Sequence, residues 1–86
     1  MKVSFSEKAR ADFSRMDAGT RRVFYSHIEK LERVTPRKHL RFGIPFFVEN
    51  VGSQGRIVLS FDESEIIVIR CFRIHKEYEK WYNAFR

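Results

Sequence analysis

An α+β fold is predicted by three features of this 86-residue chain. Apolar residues recur at helical spacing through its first third, and they alternate at strand spacing around Gly52–Gly55 in the middle. An aromatic set then returns to helical spacing at the end.

Met1 to Phe5 alternates, with Val3 and Phe5 on one side and Lys2 and Ser4 on the other, as a half-buried strand does. Ser6 suits a helix cap, because its hydroxyl can accept one of the amide protons that a first turn leaves without a partner. Ala9, Phe13 and Met16 then share one helical stripe, which Asp17-Ala18-Gly19-Thr20 breaks. Val23, Phe24, Ile28 and Leu31 mark a second helix running to Val34, and Pro36 ends it by biasing Thr35 away from α geometry.

Beyond Pro36 the period changes from helix to strand. Gly43 and Pro45 introduce Phe46-Phe47-Val48, and Gly52-Ser53-Gln54-Gly55 makes a hairpin loop. Arg56 to Phe61 sets Ile57, Leu59 and Phe61 against Arg56, Val58 and Ser60, and Asp62 to Glu65 turns the chain into a strand from Ile66 to Phe72. These three strands form an antiparallel meander. From His75 to Arg86, the residues Tyr78, Trp81, Tyr82 and Phe85 give a short helix an aromatic face. The expected order is β-α-α-β-β-β-α: an N-terminal helical hairpin packed on a small, mainly antiparallel twisted sheet, with the helices on one sheet face. At this length residues 1–86 are expected to form a single domain.

Seventeen Lys and Arg against eleven Asp and Glu leave a net charge of +6. The excess is concentrated in the middle, where residues 36–61 carry 4 basic and 1 acidic side chains. Such a domain attracts polyanions through its long-range field and through counterion release, so RNA, DNA or an acidic protein are the natural partners. Arg33, Arg37, Lys38 and Arg41 run together with no acid among them and are the candidate phosphate-positioning residues.

A lone Cys71 forms no intramolecular disulfide, and no charged-then-apolar leader opens the chain, so a cytoplasmic location is expected. The longest apolar run, Ile66 to Ile69, is far shorter than a membrane span. Cys71, His27, His39 and His75 are not spaced as zinc ligands, and no carboxylate cluster suits magnesium. No metal and no small-molecule cofactor are expected.

Val51-Gly52-Ser53-Gln54-Gly55-Arg56-Ile57-Val58-Leu59 on the hairpin, and Cys71-Phe72-Arg73-Ile74-His75-Lys76 at the end of the last strand, resemble the RelE/ParE toxin superfamily. The resemblance covers about Leu40 to Tyr82 and implies a RelE-like fold, an antitoxin partner and, for the nucleases of the group, metal-independent cutting of messenger RNA on the ribosome. In that chemistry a 2′-hydroxyl attacks its neighbouring phosphate. A base takes the 2′ proton, a cation offsets charge growing on the phosphoryl oxygens, and an acid protonates the departing 5′ oxygen.

By the same resemblance Arg56 holds the family's hairpin-arginine position, and its planar fork suits phosphate oxygens. His75 is the acid candidate, Arg73 and Lys76 add positive charge, and Tyr82 stands for the tyrosine that contacts RNA, although Tyr78, Trp81, Tyr82 and Phe85 also suit a packing stripe. Two departures matter. The strand Phe47-Val48-Glu49-Asn50-Val51 lacks the basic residues that ribosome-dependent cutters often carry there, leaving Glu49 with His75 as a possible base and acid pair. The loop from Val51 to Arg56 is also one residue longer than the common Val-Gly-x-x-Arg, so either Glu49 or the pair Val48 and Asn50 faces the site. The same fold also serves ParE-like toxins, which inhibit DNA gyrase by binding, and catalytically inactive members.

Overall fold

The computed structural model describes residues 2–33, 46–62 and 65–85. Strand β1 (Lys2–Phe5) leads into helix α1 (Glu7–Ser14) through Ser6, whose Oγ accepts the Ala9 amide proton at 3.0 Å as the predicted cap. Helix α2 (Ala18–Arg33) starts inside the segment expected to separate the two helices. Asp17 explains the early start: its Oδ1 accepts the Thr20 amide proton at 2.7 Å, and that bond holds its carboxyl below the usual carboxylate range.

Strands β2 (Phe47–Val51), β3 (Gly55–Phe61) and β4 (Glu65–Phe72) follow, then helix α3 (His75–Phe85). Several expectations lie outside the described residues: the end of the second helix at Val34 and Pro36, the Gly43 and Pro45 segment, the turn residues Glu63 and Ser64, and the side chain of Phe85.

The sheet order is β1-β4-β3-β2. The meander is antiparallel as expected, while β1 joins β4 in parallel with Phe5 opposite Val68, which makes the sheet mixed. A register shift between Val58 and Leu59 sets Leu59 against Val68 but Val58 against Arg70, so β4 carries Ile69 as an extra residue. Ile66 and Val68 before the bulge, and Cys71 after it, therefore all join Ile57 and Leu59 in the core under α1 and α2.

One expectation is corrected here: the helices do not all lie on one face. Helix α3 covers the opposite face, packing Tyr78, Trp81 and Tyr82 on Val48, Val58 and Phe72. The reason is in β3, where Ile57, Val58 and Leu59 are successive residues and all 0% exposed. A strand that is apolar on both faces must be covered on both. Within α3, Tyr78 is 1% exposed while Trp81 is only half-buried, so the tyrosine is the anchor.

Strand β1 ends opposite Val68, and β4 runs past it with an unpaired edge. Helix α1 satisfies that edge. The Ser6 amide donates to the Val68 carbonyl at 2.9 Å, and Ser6 Oγ donates to the Ile69 carbonyl at 2.7 Å. Asp12, 5% exposed, accepts the Cys71 amide proton at 2.9 Å. The same carboxylate accepts Arg70 at two points, Nε at 2.7 Å and Nη2 at 3.0 Å, and Arg15 Nη2 at 2.8 Å. Arg70 in turn lies 4.8 Å from the centre of the Phe72 ring, and the Asp12 contact pushes its own pKa further up.

Asp12→Ala strands the Arg70 charge and the Cys71 amide, and is expected to cost about 3 kcal/mol, the lower end for breaking a buried pair because Arg70 keeps some water. Arg15→Ala, whose side chain is 68% exposed, should change stability by less than about 1 kcal/mol. Tyr78→Ala should cost roughly 3 kcal/mol or more, and Trp81→Ala less than Tyr78→Ala. Urea unfolding of the four variants checks the ranking; equal losses at Asp12 and Arg15 would deny the carboxylate its structural role.

Candidate functional site

The hairpin register decides which residues can work together. Val51 pairs with Gly55 and Asn50 with Arg56, and on the other side Arg56 pairs with Phe72. Asn50, Arg56 and Phe72 thus form one row across three strands, on the face that α3 covers. Glu49 pairs with Ile57 and belongs to the opposite face, beneath α2, where its Oε2 lies 3.9 Å from Nδ1 of His27. Glu49 and His75 are therefore separated by the sheet, and the expected base and acid pair is not brought together. Of the two faces left open by the longer loop, the one carrying Val48 and Asn50 meets Arg56.

The hairpin itself is held closely. Gly52 has φ 65°, in the left-handed region where a side chain would be strained, and it starts the turn. At Gly55 a Cβ would meet the Val51 carbonyl oxygen at 2.7 Å and the Phe24 ring at 3.0 Å, so only glycine lets α2 approach this point. The next residue, Arg56, is half-buried, with Nη1 donating to the carbonyls of Gly55 at 2.7 Å and Ser53 at 3.3 Å. Among the described residues it has no carboxylate partner. Its contacts fix the guanidinium and leave its charge unneutralised.

Gln54 joins this hairpin to the start of α3. Its Oε1 accepts the His75 amide proton at 3.3 Å, taking up a donor that the first turn leaves without a helical partner. His75 is half-buried, its ring centre 5.8 Å from that of Tyr78, and its Nδ1 lies 3.3 Å from Oε1 of Glu79 one turn on. Lys76 is exposed beside it. Tyr82 is half-buried and stacks on Tyr78 with centres 6.1 Å apart, so the stripe is chiefly packing, with Tyr82 at its open side.

Arg73 sits elsewhere. It opens onto a cleft of about 760 Å³ between α1, the end of β4 and α3, shared with Arg15, Arg70 and Lys80. Arg33 is exposed in the last turn of α2, and Arg37, Lys38 and Arg41 lie outside the described residues. The candidate site is thus Arg56, His75 and Lys76, with Tyr82 nearby, Asn50 as the alternative that the register selects, and Gln54 as a member that sequence reasoning missed. Gln54 had no signal beyond its place in the loop; Asn50 was legible only once the register was known.

Among the described residues no three His, Cys, Asp or Glu side chains gather as a metal site needs, and no helix is long and apolar enough to cross a membrane. Cys71 is buried in the core and its thiol is pushed up to about 12, first by loss of hydration and then by the Asp12 charge.

No protein-family model and no curated protein matches the sequence. Solved structures do. The isolated RelE toxin of E. coli superposes with a TM-score of 0.71 at 15% identity, covering 99% of this chain and 98% of that one. The toxin–antitoxin complex RelBE2 of Mycobacterium tuberculosis gives 0.68 at 22% identity, covering 86% and 91%. The chromosomal ParDE system of P. aeruginosa gives 0.70 at 13%, covering 86% and 96%. The chain has the RelE/ParE toxin fold.

A thiol whose pKa is raised keeps its proton at neutral and mildly alkaline pH, and only the thiolate attacks. Native protein at pH 8 is therefore expected to react with a thiol reagent far more slowly than protein unfolded in urea. Equal rates in the two states would mean that Cys71 is open to solvent.

Proposed function

We propose that this chain is the toxin of a toxin–antitoxin pair and acts as a metal-independent, ribosome-dependent messenger-RNA endoribonuclease. The observation that carries the reading is Arg56: a guanidinium held by two backbone carbonyls, lacking a carboxylate partner among the described residues, and tied through Gln54 to the turn that bears His75. A fork so placed is preorganised for phosphate oxygens, whose negative charge grows as the 2′-hydroxyl attacks. His75 protonates the departing 5′ oxygen, Glu79 orients its ring, and Lys76 adds charge. With Glu49 beneath α2, the 2′ proton passes to water or to a ribosomal group, which is one reason for such an enzyme to work on the ribosome. A RelE/ParE-like fold whose solved neighbours are toxin–antitoxin proteins supports a cognate antitoxin that covers this surface, and a cytoplasmic site of action follows from the target.

A second reading, a toxin that binds and inhibits DNA gyrase, draws on one observation. The strand face beside Arg56 offers Val48 and Asn50 and no basic side chain. The two readings diverge in assay.

Arg56→Ala is expected to slow single-turnover cleavage of ribosome-bound messenger RNA by about 10²–10³, the usual loss for one preorganised donor, while folding is kept. His75→Ala should slow it as well. Wild-type protein that cuts no message but blocks gyrase supercoiling would replace the first reading with the second, and equal rates for wild type and Arg56→Ala would remove Arg56 from the chemistry.

A further inference from the structure

The cleft that holds Arg73 is built on the other side of α3's first turn from the hairpin, and nothing in the reaction just described uses it. Its rim carries Arg15, Arg73 and Lys80, all exposed, with Arg70 set deeper. Two carboxylates also line it, and they are not equivalent. Asp12 is held by the Arg70 fork on both oxygens and by the Cys71 amide, Arg15 reaches it through Nη2 alone with its side chain 68% exposed, and Glu77 lies at the surface of α3. Asp17 at the start of α2 is close enough to Arg73 to be stabilised by its charge. Four lining cations against the two lining carboxylates and Asp17 leave the cleft with an excess of one positive charge. Its aromatic lining is Trp81, half-buried and 5.8 Å between ring centres from Phe72, which is itself buried with its ring under Arg70.

Exposed cations sharing a cleft with a half-buried tryptophan match one chemistry closely. Phosphates meet the arginine and lysine heads, and an unpaired base offers a π-face to the tryptophan. An acidic peptide would satisfy the cations and leave the tryptophan unused. A duplex would keep its bases stacked away from it. We propose that this cleft is a second, non-catalytic binding site for single-stranded RNA, taking the phosphate backbone on Arg15, Arg73 and Lys80 and a base against Trp81. It requires no cleavage by the protein, so it stands or falls apart from the nuclease reading.

The test uses short single-stranded oligoribonucleotides with every 2′-hydroxyl methylated, which cannot be cut by 2′ attack, and fluorescence anisotropy over a salt series. Wild type is compared with Lys80→Gln and with the double variant Arg15→Gln, Lys80→Gln, each shown by thermal melting to be folded. Both side chains are exposed and neither belongs to the Arg56 site. Each lost phosphate contact should flatten the plot of log affinity against log salt by about 0.7, so the double variant should lose about 1.4 in slope. Arg56→Ala, measured alongside, should retain the slope component that Arg15 and Lys80 supply. The proposal is overturned by an unchanged slope in the double variant. It is equally overturned if a poly-glutamate peptide or a duplex of the same length binds as tightly and with the same dependence on Arg15 and Lys80.

Discussion

The structure hangs on the carboxylate of Asp12. It is buried, and a buried charge is tolerated only where donors replace the water it has lost. Here the replacement is complete: the Arg70 fork on both oxygens, Arg15 on one and the Cys71 amide on the other. The effect is geometric as much as energetic. Strand β4 outruns β1 after Val68, and the stretch that would be an open edge is instead bonded to α1 through Ser6 and Asp12. This sets the height of α1 on the sheet. It also fixes the last residues of β4, from which Arg73 and the start of α3 depart.

From that anchored end the site is assembled by two lesser constraints. One is the contact of Phe24 on Gly55, which seats the hairpin against α2 from beneath. The other is the Gln54 bond to the His75 amide, which ties the tip of the same hairpin to α3 above. Arg56 lies between them, so its position answers to helices on both faces of the sheet. The bulge at Ile69 takes part as well, because without the extra residue Phe72 and Cys71 would exchange faces and the row Asn50, Arg56, Phe72 would be broken.

Much of this was legible in the chain. Element order and type follow from periodicity, and Ser6, the Gly52–Gly55 loop and the aromatic stripe behave as their chemistry suggests. What was not legible has physical causes. Strict alternation in β3 suggested one buried face, but Val58 is as apolar as Ile57 and Leu59, and that was the sign that a helix was needed on the second face. The parallel pairing of β1 is long-range and leaves no local trace. The side of Glu49 turned on a register that a one-residue difference in loop length reverses. Asp12 did leave a mark: an acid lying between Ala9 and Phe13 on the apolar stripe, matched by an arginine that interrupts the apolar strand at position 70. Each looks like a surface charge alone, and only together do they suggest a buried pair.

Arg70 and Arg56 show how one side-chain type is assigned opposite tasks. Arg70 meets a carboxylate, so its charge is cancelled where it stands, and what remains is a cross-link between helix and strand. Arg56 meets carbonyl oxygens, whose dipoles hold the fork in place without supplying a countercharge. Replacing those carbonyls with a carboxylate would hold the arginine as firmly and silence it toward an anion. Holding an unneutralised cation costs less here because the residue is only half-buried and water still reaches it. Position without neutralisation is what electrostatic stabilisation of a phosphate requires, since the donor must be in place before the charge it meets has formed. By the same reasoning the placement of Glu49 matters, because it pairs with Ile57 on the opposite face, 3.9 Å from His27 of α2, and so leaves Arg56 without a countercharge from its own hairpin.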